Sequence, residues 1–250
     1  MTEPTAGVAA FVAARARVLA RIAAAAERAG RSPADVTLVA VSKTVDAARL
    51  RDAVAAGQTL LGENRVQEGA AKAAEVPGAR WQLVGPLQSN KARRALEVYE
   101  AIQSVESVGL AERLDRLARE VRAAGPGNRY PVLLQVNVDD DPAKAGFGPE
   151  ALPDALQRIA ALDALEVRGL MTIGRLVESA EAARPTFAAL RDLSERLRAG
   201  GATLGPDLSM GMTDDFEVAI EEGATIVRVG RALFGERPHQ HGDGALEHAH

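Results

Sequence analysis

Eight short apolar runs alternate with helix-forming segments along this chain, and this alternation restricts its possible folds more than any other feature. The runs occupy residues 36–41, 59–61, 81–84, 101–105, 132–137, 167–171, 207–210 and 225–229. Most of the intervening segments carry apolar residues at helical spacing, as residues 110–121 do with Leu110, Leu114, Leu117 and Val121. The pattern predicts parallel strands connected by helices.

Eight strand and helix units in about 200 residues predict a single (β/α)8 TIM barrel in one α/β domain. An open, doubly wound sheet is the alternative, although no Gly-x-Gly-x-x-Gly motif follows any predicted strand. A further amphipathic helix is predicted over residues 6–29, before the first strand. We expect residues 1–237 to form the barrel with this N-terminal helix, and residues 238–250, which contain all four histidines, to form a disordered polar tail.

Composition excludes several classes of function. Lys and Arg total 30 against 34 for Asp and Glu, and the basic residues are scattered, so we expect no nucleic-acid partner. The absence of cysteine excludes disulfides and thiolate sites and fits a cytoplasmic protein. Arginines at positions 15, 17 and 21 interrupt the first apolar stretch, so neither a signal peptide nor a membrane span is expected there. We expect no metal site in the barrel.

Lys43 follows the first predicted strand, and the next helix is predicted to begin at Asp46. Only four of the 30 basic residues are lysines, so arginine serves most surface positions. Lysine, unlike arginine, can lose its proton and attack an aldehyde to form an imine. Lys43 is therefore a candidate for covalent chemistry at the barrel rim, the alternative being an ordinary rim or capping lysine.

Small residues close the last two predicted strands. The segment Ser209-Met210-Gly211-Met212-Thr213 ends the seventh strand, and Val229-Gly230-Arg231-Ala232 ends the eighth. In barrels, the loops after these strands commonly bind phosphate through backbone N–H groups, and Ser209 offers a hydroxyl donor. The alternative is helix capping by Thr213 and Asp214, with Gly211 and Gly230 as ordinary turn glycines.

Strand alternation places Arg228 on the same face as Gly230, and Lys43 on the same face as Val39 and Val41. If both faces point into the barrel, Arg228 is a cation near Lys43. It could donate to the nitrogen of a heteroaromatic ring or pair with an internal carboxylate. A lysine and a phosphate site on one rim suit pyridoxal 5′-phosphate, and they suit a Schiff-base aldolase for a sugar phosphate equally well.

Six ordered segments resemble the pyridoxal phosphate homeostasis protein family, of the YggS and PROSC type. They are Ala40-Val41-Ser42-Lys43-Thr44, Gly62-Glu63-Asn64-Arg65-Val66-Gln67-Glu68, Gly85-Pro86-Leu87-Gln88-Ser89-Asn90-Lys91, Gly169-Leu170-Met171, Leu208-Ser209-Met210-Gly211-Met212, and Arg228-Val229-Gly230 to Phe234-Gly235. The similarity extends from about residue 8 to residue 237. The sequence departs from the family pattern at four positions. Gln82 stands where histidine is frequent, Gly174 replaces a proline, Thr213 replaces a serine, and Arg231 replaces a threonine or serine.

The resemblance implies a barrel like the N-terminal domain of alanine racemase, with pyridoxal 5′-phosphate held as a Schiff base on Lys43. It also implies a phosphate site at the positions of Ser209, Gly211, Gly230 and Arg231, with Asn64 and Met171 lining the pocket.

The resemblance further implies a protein of vitamin B6 homeostasis without an established reaction. We expect reversible cofactor binding, followed by buffering or delivery to apo-enzymes that depend on pyridoxal phosphate, by a monomer with no membrane partner. The alternative is a slow, racemase-like enzyme acting on amino acids. A racemase needs a second base on the opposite face of the cofactor. Tyr99 and Tyr130 precede strands and are predicted on the far face of the barrel, and no histidine precedes the tail. We also expect no second domain after residue 237 to supply the base.

Overall fold

The computed structural model describes residues 5–125, 127–174 and 177–235, and its strands coincide with the eight apolar runs to within a few residues. They are β1 Thr37–Val41, β2 Leu60–Glu63, β3 Arg80–Leu83, β4 Ala101–Val105, β5 Tyr130–Gln135, β6 Leu165–Met171, β7 Asp207–Ser209 and β8 Ile226–Val229. Each pairs in parallel with its neighbours in sequence, and β8 pairs with β1 from Thr37↔Ile226 to Ala40↔Val229. This last pairing closes the barrel, so the TIM barrel prediction is confirmed and the open sheet is wrong.

In the described part of the chain, helices surround the barrel, with one before the first strand and one after each of the eight strands. They are α1 Ala6–Arg28, α2 Ala47–Ala55, α3 Val66–Glu75, α4 Ala92–Val98, α5 Val108–Val121, α6 Leu152–Ala160, α7 Arg184–Ala199, α8 Phe216–Glu221 and α9 Arg231–Phe234. The predicted cap of α2 is confirmed, because the Asp46 carboxylate accepts the N–H of Arg49 at 2.9 Å. Gly57 follows this helix at φ +86°, a conformation that glycine adopts without strain.

Two apolar cores hold the fold together. The larger lies between the strands and the surrounding helices and includes Tyr99, Phe187 and Phe216, all fully buried. The smaller lies inside the barrel, where Val39, Val84, Leu133, Met171 and Ile226 meet. Val41 packs against this inner cluster, so the face of β1 that continues to Lys43 points into the barrel.

One helix boundary differs from the prediction. Thr213 does not cap α8, which begins at Phe216 with Asp215 at the capping position. The Asp215 carboxylate accepts the N–H of Met212 at 2.6 Å, so it closes the loop after β7 instead of extending a helix back to Thr213. The predicted tail, residues 238–250, lies outside the described residues. Among the helices described, none is both long and apolar enough to cross a bilayer.

Candidate functional site

Lys43 lies in the turn that follows β1, at the carboxyl-terminal end of the barrel, and its side chain is exposed. The next residue, Thr44, has φ +65°, a left-handed conformation that is uncommon for a non-glycine residue. The N–H of Thr44 donates to Glu68 on α3 at 3.1 Å. The turn that presents the lysine is therefore attached to a helix beyond β2.

The loop after β8 lies beside this turn, since β8 is the barrel neighbour of β1, and the loop after β7 follows next around the barrel. A Cβ on Gly230 would lie 3.2 Å from the carbonyl oxygen of Val41, so the β8 loop approaches the end of β1 closely. Within the described residues, the backbone N–H groups of Gly211, Gly230 and Arg231 donate to no protein acceptor. These three donors are available to an anion at the rim.

Arg228 lies inside the barrel below this rim and is 5% exposed. Its guanidinium donates to the Ser209 hydroxyl at 2.7 Å and to the carbonyl of Thr172 at 2.8 Å. Burial lowers the pKa of Arg228 to about 10, although the charge of Asp215 acts in the opposite direction. Among the described residues it forms no ion pair with a carboxylate within 4.0 Å.

A chain of side-chain hydrogen bonds continues from Arg228 through the barrel interior. The Ser209 hydroxyl donates to Gln103 at 2.6 Å, the Gln103 amide donates to Gln82 at 2.6 Å, and the Gln82 amide donates to Glu100 at 3.2 Å. Gln82, at a position where the resemblance leads one to expect histidine, is thus one member of this chain. Glu100 precedes β4, so the chain reaches the opposite end of the barrel.

Ser209 and Arg231 have partners that the sequence did not indicate. The Ser209 side chain is fully buried, and its hydroxyl donates to Gln103 and accepts from Arg228. The Arg231 guanidinium pairs with Asp214, whereas its backbone N–H has no protein acceptor among the described residues. Asp214 is 78% exposed, so its charge lies in solvent.

Asn64 and Met171 belong to the same end of the barrel. Asn64 follows β2, is half-buried, and lies against the β3 loop, where a Cβ on Gly85 would be 2.5 Å from its carbonyl oxygen. Met171 ends β6 and is fully buried in the inner cluster. All eight residues singled out from sequence therefore lie on one arc of the barrel, formed by the consecutive strands β6, β7, β8, β1 and β2.

A buried ionic group beneath Lys43 was missed by sequence reasoning. Lys72 on α3 donates to Glu63 at 2.6 Å, to Glu68 at 2.7 Å and to the carbonyl of Ser42 at 2.8 Å. Burial acts to raise the pKa of Glu68, but the hydrogen bonds from Lys72 and Thr44 and nearby positive charge outweigh it, so this pKa is lowered. The i, i+4 spacing of Glu68 and Lys72 was the available signal, but it does not reveal Glu63.

Groups that could act as a second base are few. The Tyr130 hydroxyl donates to the carbonyl of Tyr99 at 2.9 Å, and that of Tyr99 to the carbonyl of Arg65 at 3.2 Å. Burial raises the pKa of both hydroxyls. Glu106, one residue beyond β4, has one buried carboxylate oxygen without a partner, and burial raises its pKa. Among the described residues no group of three or more His, Cys, Asp or Glu could hold a metal ion.

The chain is similar to known proteins over most of its length. A family model described as "Alanine racemase, N-terminal domain" matches residues 15–238. The curated "Pyridoxal phosphate homeostasis protein" of Pseudomonas aeruginosa is 46% identical over 226 residues, which are 89% of this chain and 94% of that protein. The protein of the same name from Aquifex aeolicus is 41% identical over 223 residues, 88% and 96% of the two chains.

A solved structure agrees with these relatives. That of PipY from Synechococcus elongatus PCC7942, with PLP bound, has a TM-score of 0.75 and 43% identity, covering 87% of this chain and all of PipY. The chain belongs to the pyridoxal phosphate homeostasis protein family.

Proposed function

We propose that this chain binds pyridoxal 5′-phosphate as a Schiff base on Lys43 and serves intracellular vitamin B6 homeostasis by buffering or delivering it. The observation that carries the proposal is the contact between the β8 loop and the end of β1, which brings the turn of the exposed Lys43 close to the loop that carries the Gly230 and Arg231 N–H groups. In the described part of the chain these N–H groups have no protein acceptor. The PLP-bound PipY structure supports the proposal from a 43% identical relative.

The residues present fit this cofactor. Its aldehyde condenses with a primary amine with loss of water, and its phosphate accepts hydrogen bonds. Lys43 supplies the amine, and the N–H groups of Gly211, Gly230 and Arg231 supply donors for the phosphate. Arg228 supplies a buried cation, held by two hydrogen bonds, for the ring nitrogen. Asn64 and Met171 form the adjoining walls.

Little turnover is expected from this site. The hydroxyls of Tyr99 and Tyr130 already donate to backbone carbonyls, and residues 5–235 contain no histidine. Storage and release of the cofactor need only the covalent attachment and its reversal by water or by another amine. The recipients we propose are apo-enzymes that depend on pyridoxal phosphate.

A titration with pyridoxal phosphate tests the proposal. We expect the wild-type protein to develop a visible absorption band that saturates, Lys43→Ala to lose it, and Lys91→Ala, a matched rim substitution, to retain it. Delivery is then measured by adding an apo-enzyme that depends on pyridoxal phosphate to the loaded protein and following the enzyme activity that the transferred cofactor restores. A wild-type protein without a saturable band would contradict the proposal, and so would a Lys43→Ala protein that binds like the wild type.

Glu106 is the observation that favours the second candidate, a slow, racemase-like enzyme. Its unpartnered carboxylate oxygen and raised pKa are properties of a general base. Racemisation of amino acids by the loaded protein, lost in Glu106→Gln with cofactor binding intact, would establish this function. Absence of racemisation in the wild type would exclude it for the amino acids tested.

Three further expectations belong to the proposal. We propose a cytoplasmic location, a monomer, and a barrel of residues 1–237 followed by a polar tail of residues 238–250. Cell fractionation tests the first, sedimentation velocity the second, and limited proteolysis with mass mapping the third.

A further inference from the structure

We propose that Lys72, Glu63 and Glu68 form a positioning group that fixes both residues flanking Lys43 and the backbone of Asn64, and so presents the Lys43 amine to the cofactor aldehyde. This group is called the Lys72 cluster below. The inference rests on the proposed function, because it assigns a purpose to residues beneath the site that Lys43 defines.

The Lys72 ammonium has three N–H donors, and each has an acceptor. They are the Ser42 carbonyl at 2.8 Å, Glu63 at 2.6 Å and Glu68 at 2.7 Å. The ammonium is thus fully engaged, and Lys72 is 8% exposed. Lys72 is therefore unsuited to imine formation, in contrast to the exposed Lys43, and its contacts point to a supporting role.

The carboxylates extend these contacts to the residues around the site. One oxygen of Glu63 lies 2.9 Å from the Ser42 hydroxyl, whose single hydrogen is shared with the Gly62 carbonyl at 3.0 Å, and the other accepts the N–H of Asn64 at 2.8 Å. The Glu68 oxygen that binds Lys72 also accepts the N–H of Thr44 at 3.1 Å. Ser42 and Thr44, one on each side of Lys43, are therefore bonded to the same ionic group.

Thr44 provides a separate reason to assign a positioning role. A non-glycine residue at φ +65° persists where the surrounding contacts determine its conformation. Its N–H bond to Glu68 is such a contact, and this conformation sets the direction in which the chain leaves Lys43. Without the bond, Thr44 is free to relax toward extended backbone, and the Lys43 side chain would then leave the rim in another direction.

The chain contains a matched group elsewhere. Asp115 on α5 is 7% exposed, pairs with Arg119 at i+4, and accepts the N–H of Ala164 at 2.7 Å. Ala164 precedes β6 and thus lies at the amino-terminal end of the barrel. Asp115→Asn therefore perturbs a buried carboxylate, an ion pair and a backbone bond of the same kind, far from Lys43.

The experiment compares Glu68→Ala, Glu68→Gln and Asp115→Asn with the wild type. Glu68 is 32% exposed and Lys72 keeps Glu63 in these variants, so the fold is retained. We expect Glu68→Ala to weaken pyridoxal phosphate binding roughly tenfold and to speed amide hydrogen exchange at Thr44 by a similar factor in the cofactor-free protein. Glu68→Gln keeps the acceptor oxygen, so its effects should be smaller. Asp115→Asn should change neither quantity.

The binding and exchange data together decide whether Glu68 positions the turn that carries Lys43. Wild-type binding and exchange in Glu68→Ala would overturn it, and so would equal weakening by Asp115→Asn, because the effect would then be general destabilisation. If the wild type itself fails to bind pyridoxal phosphate, the proposed function fails. Amide exchange at Thr44 then still decides whether Glu68 fixes this turn.

Discussion

Substitution of Lys72 by methionine removes the cation that pairs with the buried Glu63 and the partly exposed Glu68, and tests the energetics of the region beneath Lys43. The Lys72 and Glu63 side chains are 10% and 0% exposed, so Glu63 cannot regain water when its partner is lost. Breaking a buried ion pair by removing one partner costs about 3–5 kcal/mol. Glu63 keeps the Ser42 hydroxyl and the Asn64 N–H as donors, so we expect about 3 kcal/mol, the lower end of that range.

The assay is thermal unfolding of the cofactor-free protein followed by circular dichroism. A loss of about 3 kcal/mol should lower the midpoint by roughly 6–12 °C in a chain of this size. Lys91→Met is the control, because Lys91 forms no ion pair in the described part of the chain, and it should shift the free energy of unfolding by less than about 0.5 kcal/mol.

A double substitution separates charge burial from lost packing. Lys72→Met with Glu63→Gln removes the unpaired charge while keeping acceptor and donor groups in place, so it should be more stable than Lys72→Met alone. A Lys72→Met protein as stable as the wild type would show that Glu63 does not depend on this ion pair. A double variant that loses the sum of the two single losses would show the same, because the residues would then be energetically independent.

Three further predictions concern neighbouring groups. Gly85→Ala should lower both the unfolding midpoint and the affinity for pyridoxal phosphate, because its Cβ would lie 2.5 Å from the Asn64 carbonyl oxygen. The control Gly109→Ala, whose Cβ in α5 meets nothing within 4 Å, should be neutral or stabilising. Equal behaviour of the two variants would contradict the prediction. The lowered pKa of Glu68 contributes stability that is complete above the ordinary pKa of 4.5 and is lost as pH falls through the folded-state pKa. The urea midpoints of the wild type and Glu68→Gln should therefore converge in acid. A constant difference between the two midpoints down to pH 2 would count against this role of Glu68. Arg228→Gln should keep the covalent attachment to Lys43 but shift the absorption maximum of the bound cofactor, since a buried guanidinium is removed from below the site. An unchanged absorption spectrum would argue against a contact between Arg228 and the cofactor ring.

The barrel was predictable because its signal is local and repeated. Each apolar run followed by a helical segment identifies one unit, and eight units of this length specify the closed topology. The start of α8 was not predictable in the same way. Thr213 has the usual residue type for a cap, but the Asp215 carboxylate competes for the loop by accepting the N–H of Met212.

The site was predictable to the extent that it lies at strand ends. Parallel strands bring Lys43, Asn64 and Gly230 to one edge whatever their separation in sequence. The partners of the buried polar groups were not predictable, because they are contacts between distant segments. Ser209 bonds to Gln103, 106 residues away in the chain, and only the structure reveals this contact.

Reduction with borohydride shows which lysine carries the cofactor. The protein is mixed with pyridoxal phosphate, reduced, digested and mapped by mass spectrometry. We predict one phosphopyridoxyl group on the peptide containing Lys43, with the other three lysines unlabelled at one equivalent of cofactor. Labelling of Lys91 or Lys144 in its place, or no label on any lysine, would contradict the account.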